Sequence, residues 1–438
     1  MATPPPTSGS AEAPDCPNVN NVNNNNNNNK GPPASSTKKA TTTKAERRAL
    51  QEKQRAAKAA LRGEGEGAKK SEGAKKSDGA KKKEPPKETN DREESPSIVS
   101  HLVPFTKRTI GPTVSTGVHP EIVSLGLRYA SGAVDGANLR CVAMVAAFKA
   151  AVRDYSCPTD AAIARDLDKK LKTMIQFLID CRPHSVSMGA AIKHTRAVVS
   201  RLAPETTEAE AKVTVREALD RFVHERIVLP GRVIAERGAE KIRDGDVVVT
   251  FGAGGDAVRA VFAAAARRKS RFRVVVVDAR PKLGGRSLLP FLHGLGVETT
   301  YVLLGAVAAA IRLATTVFVG AEALFSNGAA LADAGTAAVA MTAAHAHVPV
   351  LVCCETYKFH AKVQLDSLSW NELGDPDDLG AGGEPTTKTT NNRLYLRYDV
   401  TPDTDITAVI TEHGLVPPSA CAVLVRELEL QQADAPPR

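Results

Sequence analysis

The sequence lacks the features that place a chain outside the cytosol. Its seven cysteines form no Cys-x-x-Cys pair and no disulfide-framework spacing, so we expect reduced thiols. No apolar stretch approaches the roughly 18 residues that a membrane-spanning helix needs. The first residues, MATPPPTSGS, have neither the basic nor the apolar region of a signal peptide. These absences predict a cytosolic protein without a membrane segment.

Most of the chain also carries almost no net charge. Residues 1–117 hold 21 of the 58 Lys and Arg but only 13 of the 49 Asp and Glu, so they carry +8 of the formal charge of +9. The remainder is nearly neutral, which argues against a basic groove that follows a phosphate backbone. If the protein contacts RNA, we expect the contact in the first 117 residues.

Those first residues have a low-complexity composition. They contain the asparagine run Asn23–Asn29 and little that is apolar, which predicts a disordered basic tail over 1–117. Within the tail, residues 44–62 are rich in strong helix formers but have no wide apolar stripe, so we expect an isolated charged helix. The repeat GAKKSEGAKKSDGAKKK follows and indicates a solvated linker, with an RNA-binding arm as the alternative.

Two different apolar patterns divide the rest of the chain. Residues 118–229 show alanine-rich helical periodicity broken by proline and glycine, which predicts a helical domain. Residues 230–438 alternate β-branched runs with helical lengths, which predicts a Rossmann-like, doubly wound parallel sheet, so the fold class is α/β. The strands are DVVVTF, RVVVVD, ETTYVLL, TTVFVG and VPVLVCC, and we expect the last strand and helix from LYLRYDVTP and the residues up to His413.

The strongest local motif is the glycine-rich string after the first of these strands. Gly252, Gly254 and Ala257 form a G-x-G-x-x-A pattern, and Asp278 ends the next strand, as in a dinucleotide-binding fingerprint. However, Asp256 puts a negative charge where a pyrophosphate would lie. A tight first turn of a doubly wound sheet also needs glycine, so we expect no nicotinamide cofactor.

Other chemistry-bearing residues do not form a set. His345 and His347 have no acidic or cysteine partner at metal spacing, so no metal site is predicted. Cys353 and Cys354 end a predicted buried strand, where small sulfur residues are ordinary packing groups.

Several long strings resemble the regulatory subunits of eukaryotic translation initiation factor 2B. They include LRCVAM, DLDKKL, CRPHSVSMGAAIKH, ERIVLPGRVIAERGAEKIRDGDVV, RVVVVDARP, VPVLVCCETYKF, NELGDPDDL and YDVTP. The likeness covers about 119–430, and NELGDPDDL with CCETYKF favours the delta branch over alpha and beta. The resemblance implies a regulatory scaffold in a guanine-nucleotide exchange complex, without catalytic activity of its own.

The same family is related to sugar-phosphate isomerases. The resemblance of this sequence to those enzymes implies where a catalytic site would lie. Those enzymes use a cysteine in the loop after the first Rossmann strand and an aspartate in a G-A-D-R segment. Gly252 stands at the cysteine position, Glu322 at the aspartate position and Ala323 at the arginine position. Both reactive groups are altered, which predicts a degenerate site. Arg182 is either a relic of a phosphate pocket or a cap of a helix C-terminus.

The resemblance also implies partners. A beta-like subunit is expected to pair directly through the Rossmann-like domains, with alpha, gamma and epsilon subunits in the same complex. The helical domains are expected to face initiation factor 2, above all its alpha subunit, whose phosphate basic side chains can sense. Arg140, Lys193 and Arg196 are the candidate contacts on exposed helical faces, and the alternative for each is a solvated helix-face charge without a partner role.

The sequence is compatible with three interpretations. The chain is a regulatory subunit, a sugar-phosphate isomerase or a nicotinamide-dependent oxidoreductase. Completeness of the motifs separates them, and the regulatory subunit alone has no missing part.

Overall fold

The structure is a computed structural model that describes residues 99–103, 117–158, 162–380 and 393–434. The charged helix predicted near 44–62 lies outside these residues, as does nearly all of the predicted tail 1–117. Within the described ranges, no helix has the length and apolar character needed to cross a membrane.

The first part of the described chain is helical, as the apolar periodicity predicts. Proline in its first turn begins the first helix, and the side chains of Ser185 and Thr207 cap two later ones. The apolar stripe of the string DLDKKLKTMIQFLID, on the third helix, is largely buried, with Leu171 and Leu178 among its most enclosed members. The helices are α1 (Pro120–Ala130), α2 (Ala137–Arg153), α3 (Ile163–Cys181), α4 (Val186–Ser200) and α5 (Glu208–Val223).

A continuous helical stretch joins this part to the sheet. After α5 the chain makes a π-helical turn, His224–Val228, and continues as α6 (Leu229–Ala239). Pro230 lies in the first turn of α6, where its missing N–H costs least, so the chain stays helical across the predicted boundary at 229 and 230.

The second part contains the predicted parallel sheet. Its strands are β1 (Val247–Phe251), β2 (Arg273–Asp278), β3 (Glu298–Leu303), β4 (Thr316–Gly320), β7 (Val350–Cys353), β10 (Ala408–Thr411) and β11 (Gly414–Val416). Their order in the sheet is β11-β10-β7-β4-β1-β2-β3, parallel throughout except for the final β10–β11 hairpin. Central strands β1 and β4 are almost wholly buried, as strands covered by helices on both faces must be.

Helices cover both faces of this sheet. The helices are α7 (Gly255–Arg267), α8 (Leu289–Gly294), α9 (Val307–Leu313), α10 (Thr336–His345) and α11 (Cys421–Asp434). Helices α6, α7 and α8 contribute to the core on one face, and α9, α10 and the start of α11 contribute to the core on the other. The prediction of a doubly wound α/β fold is therefore confirmed.

A small second sheet was not predicted. It has the order β8-β5-β6-β9, with β5 (Ala323–Phe325), β6 (Ala330–Asp333), β8 (Phe359–His360) and β9 (Tyr398–Thr401). The expectation that LYLRYDVTP supplies the last strand of the main sheet is wrong, because β9 pairs with β6. The expected helix up to His413 is also wrong, because residues 408–411 form β10, which joins the main sheet beside β7.

Candidate functional site

The candidate site lies at the carboxyl ends of β1 and β4. Strand order runs outward in both directions from this pair, so the loops that follow the two strands diverge and leave a crevice. Gly252 follows β1, and Glu322 follows β4. The topology thus brings the two residues of the predicted degenerate site to one crevice.

Gly252 contributes backbone alone to this crevice. Its φ of 57° is in the left-handed region, and its N–H donates to the carbonyl of Val277 at 2.8 Å. A Cβ at this position would come within 3.9 Å of Oδ2 of Asp333. A side chain here would therefore point at the crevice carboxylates, but glycine supplies no nucleophile or proton donor.

Glu322 is a half-buried residue whose carboxyl group points into the crevice. Its Oε1 accepts a hydrogen bond from the backbone N–H of Ala137, at the start of α2, at 2.9 Å. Its Oε2 is buried without a hydrogen-bond partner. Burial first, and then the negative charge of Asp333, raise the pKa of Glu322 to about 7, although Lys358 and Arg140 oppose the shift. Near neutral pH this group is therefore a mixture of acid and carboxylate.

A chain of ion pairs crosses the crevice and joins Asp333, Lys282, Asp135 and Arg182. Nζ of Lys282 lies 2.6 Å from Asp333 and 2.7 Å from Asp135, and Asp135 also pairs with Arg182 at 3.1 Å. Burial alone would raise the pKa of Asp135, but Lys282 and Arg182 together hold it below its ordinary value. These charges are satisfied by one another.

Arg140 and Arg182 converge on a single carboxylate, that of Glu372. Nε of Arg182 is 2.5 Å from Oε1, and Nη1 of Arg140 is 3.7 Å from Oε2. The expectation of an exposed Arg140 is wrong, because Arg140 is only 1% exposed. Its backbone carbonyl accepts from the hydroxyl of Tyr129, and its own Nη2 donates to the carbonyl of Pro183, both at 2.5 Å. Arg182 likewise binds carboxylates, so it is more than a helix cap.

A second buried polar set extends the crevice toward α2. Nζ of Lys358 pairs with Glu355 at 2.7 Å, and the other carboxylate oxygen of Glu355 accepts from the amide of Asn138 at 2.8 Å. The hydroxyl of Tyr357 donates to the same Asn138 at 2.5 Å. Burial raises the pKa of the neighbouring Cys353 thiol well above its usual range, which keeps it protonated and unreactive.

These ion pairs leave almost no free space. A cavity of about 10 Å³ remains between Arg140, Glu322, Glu372 and Tyr398. That volume holds about one water molecule. This part of the crevice therefore has no room for a sugar phosphate, whereas a pocket of about 590 Å³ lies on its α2 side, lined in part by Asn138 and Glu355.

The other two predicted contact residues lie on the surface of α4. Lys193 and Arg196 are exposed, and Nε of Arg196 lies 2.9 Å from Asp168 on α3. Arg196 and Lys172 also border a groove of about 660 Å³ between α3 and α4. Their contact with a partner stays a prediction.

The dinucleotide-like string has a local structural role. Gly254 has a φ of 71° at the start of α7, and its carbonyl lies so close to Gly320 that a Cβ on Gly320 would be 2.6 Å away. Asp278 accepts from the N–H groups of Ala279 and Gly285 at 2.9 and 2.8 Å, and from the Tyr301 hydroxyl at 2.9 Å. Both carboxylate oxygens of Asp278 are thus engaged within the chain. Among the described residues no cluster of His, Cys, Asp and Glu could hold a metal ion.

Sequence reasoning missed the carboxylates that fill the crevice. Glu372 lies within the NELGDPDDL string, but nothing in the string shows that its side chain meets Arg140 and Arg182. Asp135 and Lys282 lie in separate loops, and Asp333 ends β6, a strand that was not predicted. The only sequence signal is that Lys282 follows a predicted strand and that Asp135 precedes a helix.

Comparisons with known proteins agree with this architecture. The Initiation factor 2 subunit family matches residues 133–418. The chain is 38% identical to translation initiation factor eIF2B subunit delta of Dictyostelium discoideum over 78% of this chain, and spans 58% of that protein's length. It is 35% identical to the subunit of the same name from Schizosaccharomyces pombe, over 77% of this chain and 74% of that protein.

Enzymes and solved structures also match. The ribose 1,5-bisphosphate isomerase of Haloferax volcanii is 30% identical, over 71% of this chain and 93% of the enzyme. One chain of the crystal structure of the tetrameric eIF2B-beta2-delta2 complex from C. thermophilum aligns with a TM-score of 0.67 at 33% identity, over 73% of this chain and 99% of that one. Sequence similarity alone therefore links the chain to both a regulatory subunit and an enzyme.

Proposed function

Since the chain belongs to the Initiation factor 2 subunit family, we propose that it is a non-catalytic, delta-type regulatory subunit of the initiation factor 2B guanine-nucleotide exchange complex. The observation that favours a regulatory subunit over an isomerase is the small volume left between the ion pairs of the crevice. Around Arg140, Glu322 and Glu372 the ion pairs leave a cavity of only about 10 Å³, which is too small for a sugar phosphate. The likeness to two delta subunits at 35% and 38% identity supports the same choice.

The chemistry of the crevice also disfavours an isomerase. Gly252 has no reactive group at the cysteine position, and Glu322 is turned into a bond with the N-terminus of α2. A carboxyl group displaced by about 1 Å can cost an enzyme a hundredfold in rate. The guanidinium groups that could bind a phosphate already bind Glu372 and Asp135. Three separate requirements of the reaction are therefore unmet.

The proposed partners follow from the same family. We propose that a beta-like subunit binds directly, supported by the likeness to a beta2-delta2 tetramer, and that alpha, gamma and epsilon subunits complete a cytosolic complex. We further propose that Lys193 and Arg196, exposed on α4, contact the alpha subunit of initiation factor 2. An exposed cation there would sense an added phosphate on the partner.

Copurification and enzyme assay together test this function. The full chain, tagged and coexpressed with a beta-type subunit, is expected to elute as a stable complex that engages initiation factor 2. The same preparation is expected not to convert ribose 1,5-bisphosphate, while an archaeal isomerase assayed beside it does.

A double variant sharpens the enzyme assay. Gly252→Cys with Glu322→Asp restores both reactive groups but leaves the crevice filled, so it is expected to stay inactive. Turnover of ribose 1,5-bisphosphate by the unaltered chain would reject the regulatory assignment and establish the isomerase.

A further inference from the structure

The environment of Glu372 is unusual because three guanidinium groups surround one carboxylate. Arg182 lies 2.5 Å from its Oε1, Arg397 lies 3.3 Å from the same oxygen, and Arg140 lies 3.7 Å from Oε2. Glu372, Arg140 and Arg182 are 6%, 1% and 4% exposed. Buried charges of this kind persist only when they are paired.

Other parts of the chain hold the guanidinium groups of Arg140 and Arg182 in place. Arg140 is held on α2 by its bond to the carbonyl of Pro183, and Arg182 follows α3 and bonds to Asp135 and the carbonyl of Val134. Nε of Arg140 is buried without a hydrogen-bond partner and borders the small cavity. These bonds to the two arginines all come from outside the segment that carries Glu372.

Glu372 reaches the two arginines from a long segment that follows β8. Asn371 beside it bonds to the backbone of Tyr398 through both its amide nitrogen and its carbonyl oxygen, at 2.7 and 3.2 Å. Earlier in the segment, Gln364 donates to the carbonyls of Asp366 and Trp370. The segment thus has its own internal structure, and Glu372 is the point at which it enters the crevice.

We propose that Arg140 and Arg182 form an oxyanion site whose occupant is the chain's own Glu372. This internal carboxylate takes the place of a small acid or phosphate group, closes the crevice and anchors residues 361–380 to the helical part of the protein. The inference deepens the proposed regulatory function, on which it rests, because it identifies the residue that excludes a sugar phosphate. It predicts that removal of the Glu372 side chain uncovers a site for small carboxylates.

Chemical rescue tests this proposal. Glu372→Ala removes a –CH2–COO⁻ group, which acetate can replace, whereas Glu372→Gln removes the charge but keeps the volume. We expect both variants of the full chain, purified alone or with the partner that it copurifies with, to lose more than about 5 °C in Tm. Acetate, titrated at constant ionic strength against chloride, is expected to raise the Tm of Glu372→Ala in a saturable way. The unaltered chain and Glu372→Gln should show no such rise.

Acetamide is the matched ligand control, since it has the shape of acetate without the charge. If acetamide rescues as well as acetate, or if the unaltered chain responds equally, the rescue does not report an oxyanion site and the proposal fails. It also fails if Glu372→Ala is as stable as the unaltered chain.

A second measurement covers the case in which Glu372→Ala does not fold. Hydrogen exchange of Glu372→Gln is expected to accelerate more in peptides from residues 361–380 than in β1 and β4. Unchanged exchange in 361–380 would overturn the anchoring role. Saturable binding of ribose 1,5-bisphosphate to the unaltered chain is a separate result that would reject the closed crevice, whereas turnover of that compound would reject the proposed regulatory function.

Discussion

At the scale of single residues, the charged groups in the crevice stabilise the fold only as a set. Transfer of a guanidinium or carboxylate group out of water costs several kcal/mol, and the mutual attraction of the pair offsets that cost only while both partners are present. Arg140, Arg182 and Glu372 are all nearly inaccessible to solvent. Loss of one member therefore leaves the others buried and uncompensated.

Arg140 provides the direct test of this dependence. Arg140→Glu removes a cation and places a second carboxylate beside Glu372, so we expect the free energy of unfolding to fall by about 3–5 kcal/mol. Denaturant unfolding of the full chain measures it. Lys193→Glu is the matched control, because Lys193 is exposed on α4; it should leave stability unchanged while weakening binding of initiation factor 2. Equal stability of the two variants would show that Arg140 carries no buried pairing energy.

The raised pKa of Glu322 leads to a second prediction, which concerns how the unfolding free energy depends on pH. Its pKa rises from an ordinary 4.5 to about 7 in the folded chain, so the folded state holds this proton more tightly than the unfolded state. Stability from this group is then full below about pH 4.5 and is lost as the pH rises to about 7, a difference on the order of 3 kcal/mol. We expect Glu322→Gln to flatten the decline in unfolding free energy between pH 5 and pH 8.

A second acid, Asp399, titrates in the same pH range, both in the unaltered chain and in Glu322→Gln. The pKa of Asp399 is also raised to about 7, chiefly by burial. Subtracting the two pH profiles therefore isolates Glu322. Identical profiles would mean that Glu322 is charged in the folded state at all of these pH values.

Sequence reasoning found the position of the crevice but not its contents. Gly252 and Glu322 follow strands with clear β-branched runs, so topology alone places them together. Arg140 was misjudged because its string was interpreted as a solvated helix face. Its spacing held the contrary signal: Met144 and Phe148 follow at four and eight residues, and both are 0% exposed. Arg140 therefore lies on the apolar face of α2.

At the scale of elements, strong periodicity was predictable and short or interrupted elements were not. The five β-branched runs all form strands of the main sheet. The strands of the second sheet are two to four residues long, too short for a period of two to be visible. The π-helical turn at His224–Val228 also has no sequence signal, because it depends on how α5 and α6 pack against different partners.

The crossing of α6 and α7 gives a prediction with an internal control. A Cβ on Gly238 would overlap the side chain of Val261, whereas a Cβ on Gly231, in the same helix, would meet nothing within 4 Å. Gly231→Ala should therefore stabilise the chain by about 0.5–1 kcal/mol through helix propensity. Gly238→Ala should destabilise it by about 1–3 kcal/mol through overpacking.

Denaturant unfolding of both variants measures the difference. Adding Val261→Ala to Gly238→Ala removes the overlapping methyl groups, so the double variant should lose less than the two single costs together. If Gly238→Ala stabilises as much as Gly231→Ala does, the close crossing of α6 and α7 is not present in solution.

At the scale of the whole molecule, the two secondary-structure regions act as one body. The described residues from 99 onwards fall within one compact unit. Contacts in the crevice link α2 and the end of α3 to loops of the sheet region, through Glu322, Glu355 and Glu372. A change of charge in the crevice is therefore expected to affect the helical region and the sheet region together.

The outer surface of the segment anchored by Glu372 carries the last prediction. Val363, Leu365 and Trp370 are 61%, 82% and 39% exposed, an unusual concentration of large apolar side chains in so short a stretch. Ser326 donates to the carbonyl of Ala361 at 3.0 Å, and Asn327 donates to that of Gln364 at 3.0 Å, so the stretch is held in a defined shape. We expect this surface to contact the beta-type subunit.

Val363→Asp with Leu365→Asp should therefore abolish copurification with the beta-type subunit, because an interface of this kind cannot bury two unpaired carboxylates without a cost of several kcal/mol. The unfolding free energy of the chain should stay unchanged, since both side chains already face solvent. Met341→Asp, at a 60% exposed position on α10, is the matched control and should retain the partner. Loss of the partner with Met341→Asp but not with the double variant would place the interface on α10 instead. The anchored segment would then serve to close the crevice without contributing to assembly.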